Sequence, residues 1–380
     1  MRLLLSSAAT LVAFGQGPAP EVALGARTGA IAEPFSDARG LAELPDGRVV
    51  VSDRIETAFS LVDFRTGTRK VTGRNGSGPN EYQVPLGPVR WKGDTLLGFD
   101  GFNRRMLRIN PDGAIAGAIP FPPAGATGVR GVSPPRAADS QGRIYWDAPI
   151  VDRVPVVKRS MTANVFRWLP GTDSVEVAVR FADHAAFEHE FVYRPLPQTD
   201  AWVLARDGRI GIVSAAEYRL RWYRDGKLVE TGPPVPYTPV KVTAAERDAY
   251  RAMKALEPAA GGSGPARGRA GTASIGAAAA EQFWPDSLFP EQLPPFEVGG
   301  AMLAPNGDIW VMRTAPAKTA ARQVDILDAH GSLKRILRLP ARTKLFALGA
   351  TSVYLIASDD DGLQTLERYS YPSAGEGRVP

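Results

Sequence analysis

The chain of 380 residues contains no cysteine. That excludes a disulfide framework, thiolate metal sites, thiol nucleophiles and a lipid anchor carried on cysteine. Histidine is almost as scarce, with three copies, so a His-rich metal centre has little to draw on. No apolar run reaches the length of a membrane-spanning helix, and no membrane span is expected. An excess of one charge sign is also lacking: 45 Lys and Arg face 40 Asp and Glu, and the arginines are scattered. Without a continuous cationic stripe to follow a phosphate backbone, nucleic acid is not an expected partner. The catalytic phrases are missing too. No Gly-x-Ser-x-Gly elbow occurs, and the Gly-rich stretch Gly73–Gly78 has no following Lys-Ser/Thr to hold a phosphate.

Turn chemistry is what the chain has in plenty. Gly 39 and Pro 33 are more than a helical bundle can use and suit many short strands, while 44% hydrophobic residues supply a large core. The first residues differ from the rest: one charge at Arg2, an apolar stretch Leu3–Phe14, and small residues Ala13 and Gly15 at the −3 and −1 positions of a cut after Gly15. This pattern predicts a signal peptide over residues 1–15 and a periplasmic or secreted destination, the alternative being a buried N-terminal strand.

One phrase recurs six times: a short apolar run, a turn centred on Gly, then a β-rich run. Its copies surround Asp46-Gly47, Gly93-Asp94, Gln141-Gly142, Asp207-Gly208, Asn306-Gly307 and Gly349-Ala350. Asp-Gly and Asn-Gly between apolar runs are strong hairpin signals because a tight turn needs positive φ. Most copies carry a second hairpin further on, at Thr66-Gly67, Asp112-Gly113, Asp225-Gly226 and His330-Gly331, so each unit reads as a four-stranded antiparallel meander. Six such units predict an all-β fold, a six-bladed β-propeller. The last unit is one strand short, and the segment Glu21–Arg27 has no partner of its own. An N-terminal strand at about 21–31 is therefore expected to close the last blade and remove two exposed edges. Residues 16–380 then form one propeller domain.

The phrase Asp100-Gly101-Phe102-Asn103-Arg104-Arg105-Met106-Leu107-Arg108-Ile109-Asn110-Pro111-Asp112-Gly113 resembles an NHL-type repeat. Gly73-Arg74-Asn75-Gly76-Ser77-Gly78-Pro79-Asn80-Glu81-Tyr82 resembles the Gly-rich segment between blades of bacterial six-bladed propellers of the NHL and TolB-like kind. In NHL-like repeats, residues placed as Asp53, Asp100 and Asn103 fix the loop that follows by accepting backbone N–H groups. The resemblance also implies an alternative activity, because similar propellers acting on lactones hold one divalent cation, Ca or Mg, on acidic and Asn side chains at inner-strand starts. Here Glu297, Asp200 and Asp37 are the acidic candidates.

Residues 240–297 interrupt the repeat. Thr243-Ala244-Ala245-Glu246 is a capping box, and Ala245, Ala249, Met253 and Leu256 follow at helical spacing, which predicts a helix over 244–256. The Ala/Gly-rich stretch 258–280 has too little apolar area to offset its ordering entropy and is expected to be a flexible linker. A smaller excursion holds His184 and His189, but a spacing of five does not put both on one helix face. Trp91, Trp146, Trp202 and Trp310 are expected to pack between blades.

Loops of successive blades converge at the mouth of a propeller channel, so residues at inner-strand starts are the candidate binding set: Asp37, Arg39, Arg90, Arg136, Asp200 and Glu297. Several arginines with a few carboxylates suit a small anionic ligand through forked hydrogen bonds, unless the charges merely pair with one another. The expected function is a non-catalytic ligand- or protein-binding propeller of the cell envelope, monomeric and without a cofactor. A metal-dependent hydrolase or lyase is the alternative.

Overall fold

The computed structural model describes residues 19–122, 134–151, 159–182, 187–189, 192–193, 195–256, 281–317, 319, 321–359 and 361–372. The chain is a six-bladed β-propeller. Blade one is Ala38–Glu43, Val49–Asp53, Ala58–Asp63 and Thr68–Thr72, and blade two is Pro85–Arg90, Leu96–Asp100, Arg105–Ile109 and Ile115–Pro120. Blade three is Ala137–Ala138, Ile144–Val151, Arg159–Trp168 and Val175–Ala182, and blade four is Ala201–Leu204, Ile210–Ser214, Arg219–Arg224 and Lys227–Pro234. Blade five begins with Phe296–Leu303, Ile309–Arg313, Gln323–Leu327 and Leu333–Arg338, and blade six with Thr343–Leu348, Ser352–Ser358 and Gln364–Ser370. Between blades one and two, Arg74–Asn75 pairs in parallel with Glu81–Tyr82.

The N-terminal segment is divided between two blades rather than serving one. Arg27–Ala30 pairs antiparallel to Gln364–Ser370 and completes blade six. Glu21–Ala23, expected in the same place, instead lies parallel to Leu333–Arg338 as a fifth strand on the outer edge of blade five. The change of partner occurs at Gly25, where a Cβ would meet the Tyr371 carbonyl oxygen at 2.8 Å, so only glycine passes this close to the last strand. Arg27 then reaches Glu367 across 340 residues with a 2.7 Å hydrogen bond.

Second strands are buried on both faces by neighbouring blades, which is why Val49–Asp53, Leu96–Asp100 and Ile210–Ser214 are buried at every position and read as apolar runs that end in a polar residue. The core follows from this: six apolar clusters, one in each gap between adjacent blades. Trp146, Trp202 and Trp310 belong to these clusters, whereas Trp91 is only half-buried. Asp53 accepts the N–H groups of Asp37, Ile55 and Glu56. Asp100 likewise accepts Gln83, Val84 and Asn103 N–H. These carboxylates hold loops, as their positions imply.

Six of the hairpin turns are one residue longer than a two-residue turn, whereas the turn between Arg224 and Lys227 has just two residues, Asp225 and Gly226, both left-handed. Leu44 N–H bonds Arg48 O and Gly47 N–H bonds Leu44 O, and only Gly47, at φ 84°, is left-handed. The same pair of bonds recurs at Asn110/Gly113, Asp139/Gly142, Ala205/Gly208, Ala304/Gly307 and Asp328/Gly331. The Asp before Gly47 keeps negative φ, and its Oδ1 takes the Arg48 N–H at 3.0 Å, so Asp-Gly here encodes a type I turn with a Gly bulge.

Helix α1 (Ala244–Leu256) starts at the expected capping box, with Thr243 N–H bonding Glu246 Oε2 at 2.9 Å. Its Tyr250 packs edge-on against Trp284 and Phe289. Arg247 and Arg251 both pair with Asp286. The expected signal peptide, the linker 258–280 and His184 lie outside the described residues. His189 lies in a short strand, Phe187–His189, paired with Val192–Tyr193. No helix among the described residues is long and apolar enough to cross a membrane.

Candidate functional site

Inner strands all run from one mouth of the channel to the other, so a residue's place along its strand decides which mouth it serves. Six candidate residues therefore divide. Arg39 and Glu297 are each the second residue of an inner strand, and Asp37 immediately precedes one; these three lie at the strand-start mouth. Arg90 is the last residue of Pro85–Arg90 and lies at the opposite, strand-end mouth. The repeat phrase had suggested a strand start there, because its apolar part, Val89–Trp91, is the end of a strand that already begins at Pro85. Arg136 leads a very short inner strand and reaches the strand-end cavity as well. Asp200 faces the backbone: it accepts Ala215 N–H at 2.8 Å and Ala182 N–H at 3.3 Å, stapling blade four to the end of blade three.

At the strand-end mouth a cavity of about 670 Å³ receives residues from all six blades, among them Glu43, Arg90, Arg136, Arg206, Leu303 and Ala350. This volume is in the range of small-molecule sites. Its walls are fixed by hydrogen bonds between adjacent blades. Trp91 Nε1 donates to Gly142 O at 2.9 Å, and Trp222 Nε1 to Ala329 O at 2.7 Å. Glu43 ties blade one to blade six through Tyr354 Oη at 2.8 Å and the Ala350 N–H. Burial and the adjoining Glu43 carboxylate push the Tyr354 phenol well above its ordinary pKa, so it stays a donor. Behind the wall, Tyr145 is raised to about 12, first by burial and then by Asp139.

The arginines of this cavity fall into two kinds. Arg136 is committed: it pairs with Asp147 at 3.0 Å and lies over the Trp202 ring at 5.0 Å. Arg209 pairs with Asp207 at 2.9 Å. Arg90 donates only to the Glu43 carbonyl at 3.0 Å, and Arg206 offers its guanidinium to no partner; neither has a carboxylate among the described residues. Arg206 was not singled out in the sequence. Its signal is positional, since it follows the last inner-strand residue of blade four as Arg90 ends that of blade two.

At the strand-start mouth each carboxylate serves two basic side chains. Asp37 takes both Arg39 (2.9 Å) and Arg54 (2.6 Å). Glu297 contacts Arg322 and approaches Lys344 at 3.5 Å. Burial lowers the pKa of Arg322, and Lys344 is lowered by burial and by the guanidiniums of Arg322 and Arg39. A divalent cation on Glu297, Asp200 and Asp37 does not fit these residues. Two of the carboxylates already hold basic side chains, the third holds backbone N–H groups, and the nearest free charges are cationic. Among the described residues no three His, Asp or Glu side chains gather as such an ion requires.

No family model and no curated protein matches the chain. Solved structures resemble it at the level of backbone. The calcium-binding protein regucalcin from Agrobacterium tumefaciens is 12% identical, with 94% of this chain and 97% of that one covered and a TM-score of 0.42. An aldose sugar dehydrogenase from Streptomyces coelicolor, in its PQQ-bound form, is 14% identical over 93% and 99%, with a TM-score of 0.46. Streptogramin B lyase is 12% identical over 90% and 86%, with a TM-score of 0.38. At these values the likenesses carry nothing about activity, and the six-bladed propeller rests on the strand pairing of the chain itself.

Proposed function

We propose that the chain is a non-catalytic binding propeller of the cell envelope, periplasmic or secreted, that holds a small anionic ligand in the cavity at the strand-end mouth. The observation that carries this reading is the pair Arg90 and Arg206, two guanidiniums without carboxylate partners facing one cavity of about 670 Å³. A guanidinium is always charged and presents a planar fork of donors, which matches a carboxylate or phosphate. Arg136, braced by Asp147 and Trp202, supplies a third, pre-oriented cation on the same wall. The rigid wall lowers the ordering cost of binding.

The test is a thermal-shift and calorimetric screen of the full chain against sugar acids, dicarboxylates and inorganic phosphate. A ligand that binds only the native state at a hundred times its Kd adds about 2.7 kcal/mol of stability, which is visible as a raised Tm. Charge-assisted hydrogen bonds contribute about 1.5–3 kcal/mol each. Arg90→Ala and Arg206→Ala should each weaken binding by roughly tenfold or more, at about 1.4 kcal/mol per factor of ten. A panel without a single binder, or a binder indifferent to both substitutions, defeats the proposal.

A further inference from the structure

The opposite end of the channel carries a feature that anion binding at the strand-end cavity does not use. Glu297, Lys344 and Arg39 are each the second residue of consecutive inner strands, Phe296–Leu303, Thr343–Leu348 and Ala38–Glu43, in blades five, six and one. Equivalent positions in a ring of equivalent strands lie at one depth, so these three side chains form an arc on the channel wall. By register with the second strands, the corresponding residue of blade two is Leu86 and that of blade four is Ala201, which confines the charged arc to one side.

Within the arc the cations outnumber the carboxylates. Asp37 serves Arg39 and Arg54, and Glu297 serves Arg322 and Lys344, leaving two positive charges in excess. Lys344 is the least committed of them. Its one ion-pair partner, Glu297 Oε2, is 3.5 Å from Nζ, beyond the usual length of an N–H···O bond, and its side chain is 57% exposed to the channel. Its neighbours on the strand, Thr343 and Leu345, are buried, so the amine is presented from a rigid support.

We propose that this arc is a second site, distinct from the strand-end cavity, that captures small anionic carbonyl compounds of the oxo-acid class by imine formation at Lys344. The carboxylate of the ligand lies against Arg39 and Arg322, and its carbonyl carbon faces Nζ. The neutral amine attacks that carbon, the C–N bond forms, and a proton passes from nitrogen to the carbonyl oxygen to give a carbinolamine. Loss of that oxygen as water leaves the imine, so amine plus carbonyl yields imine plus water with no redox change. Glu297, beside Nζ, is placed to accept the ammonium proton and return it to the departing hydroxyl. Desolvation and the two flanking guanidiniums disfavour the ammonium, which increases the fraction of reactive amine.

The experiment uses the full chain with glyoxylate and cyanoborohydride near neutral pH, followed by peptide mapping. Lys344 should gain a carboxymethyl group faster than any other lysine of the chain. Arg39→Gln should slow labelling by glyoxylate more than labelling by acetaldehyde, which has no charge to hold and loses only the contribution of that guanidinium to the free amine. Lys344→Arg keeps the charge and should abolish the modification. Uniform labelling of the lysines overturns the proposal, as does equal selectivity for glyoxylate and acetaldehyde. Arg90→Ala and Arg206→Ala should leave labelling unaltered, so the outcome is independent of the strand-end cavity.

Discussion

Asp325 offers the sharpest test of how the blades are held. It is fully buried in the third strand of blade five, and its Oδ2 accepts the Tyr218 hydroxyl of blade four at 2.5 Å and Arg313 Nε at 2.7 Å, while Oδ1 has no partner among the described residues. Tyr218 is itself fully buried, with its ring against Tyr237 and Phe296. Tyr218→Phe keeps the ring and deletes one of two donors to a charged, desolvated acceptor. Hydrogen bonds to charged groups contribute about 1.5–3 kcal/mol, so a loss of about 2 kcal/mol is expected at neutral pH. The pH dependence has a definite sign. Burial raises the Asp325 pKa in the folded chain, outweighing Arg313 and Tyr218. The folded state then holds a proton that the unfolded state releases at about pH 4, and stability falls as pH rises from there to the raised folded value. Urea unfolding across this range, compared with Asp325→Asn, isolates the effect: wild type should lose ground to the variant as pH rises. The Tyr218→Phe deficit should shrink at acid pH, where the protonated carboxyl no longer needs the donor. A deficit below about 0.5 kcal/mol at neutral pH, within the spread of ordinary surface substitutions, would refute the reasoning. So would a difference from Asp325→Asn that does not change with pH.

Three further outcomes are expected. Phe35→Ala empties a fully buried position over which Arg69 stacks at 3.9 Å, and should cost about 3–5 kcal/mol in urea unfolding. In Gly349→Ala the new Cβ would meet the Glu43 carboxyl carbon at 2.8 Å and the Tyr354 ring at 2.9 Å, so Glu43 must leave Tyr354 and Ala350. A loss of about 1–3 kcal/mol and a lower Tm should follow, as for other overpacked sites. His330, exposed at a hairpin tip, bonds Glu230 Oε1 at 2.6 Å, which raises its pKa; an NMR titration should place it above the ordinary histidine range, and Glu230→Gln should bring it down.

The blades were legible because most carry their own punctuation: Gly at the left-handed turn position and, after it, a mainly apolar second strand. Nothing beyond local spacing was needed for that. The division of the N-terminus was less legible, since Glu21–Ala23 and Arg27–Ala30 are both short and β-compatible, and the choice between two open edges is made by contacts more than 300 residues away. The two mouths could not be separated until strand polarity was known, which is why Arg90 was grouped with Arg39. Arg206 and Lys344 escaped notice as single basic residues next to turns and strand starts. Counting positions along aligned inner strands would have found Lys344, which has the same place as Glu297 and Arg39. Asp325 and Tyr218 meet across 107 residues, and no sequence pattern announces such a pair.

Because Arg27–Ala30 hydrogen-bonds to Gln364–Ser370, one of the earliest-made strands has to wait for nearly the last. A ribosome-bound chain therefore carries at least two unsatisfied strand borders until synthesis is almost finished, and these are natural targets for chaperones or for pairing with a second molecule. Contacts of such sequence separation slow folding. Clipping either terminus would bare a border in blade six, Gln364–Ser370 when the N-terminal strand is lost and Ser352–Ser358 when the C-terminal strand is lost, so both should promote self-association.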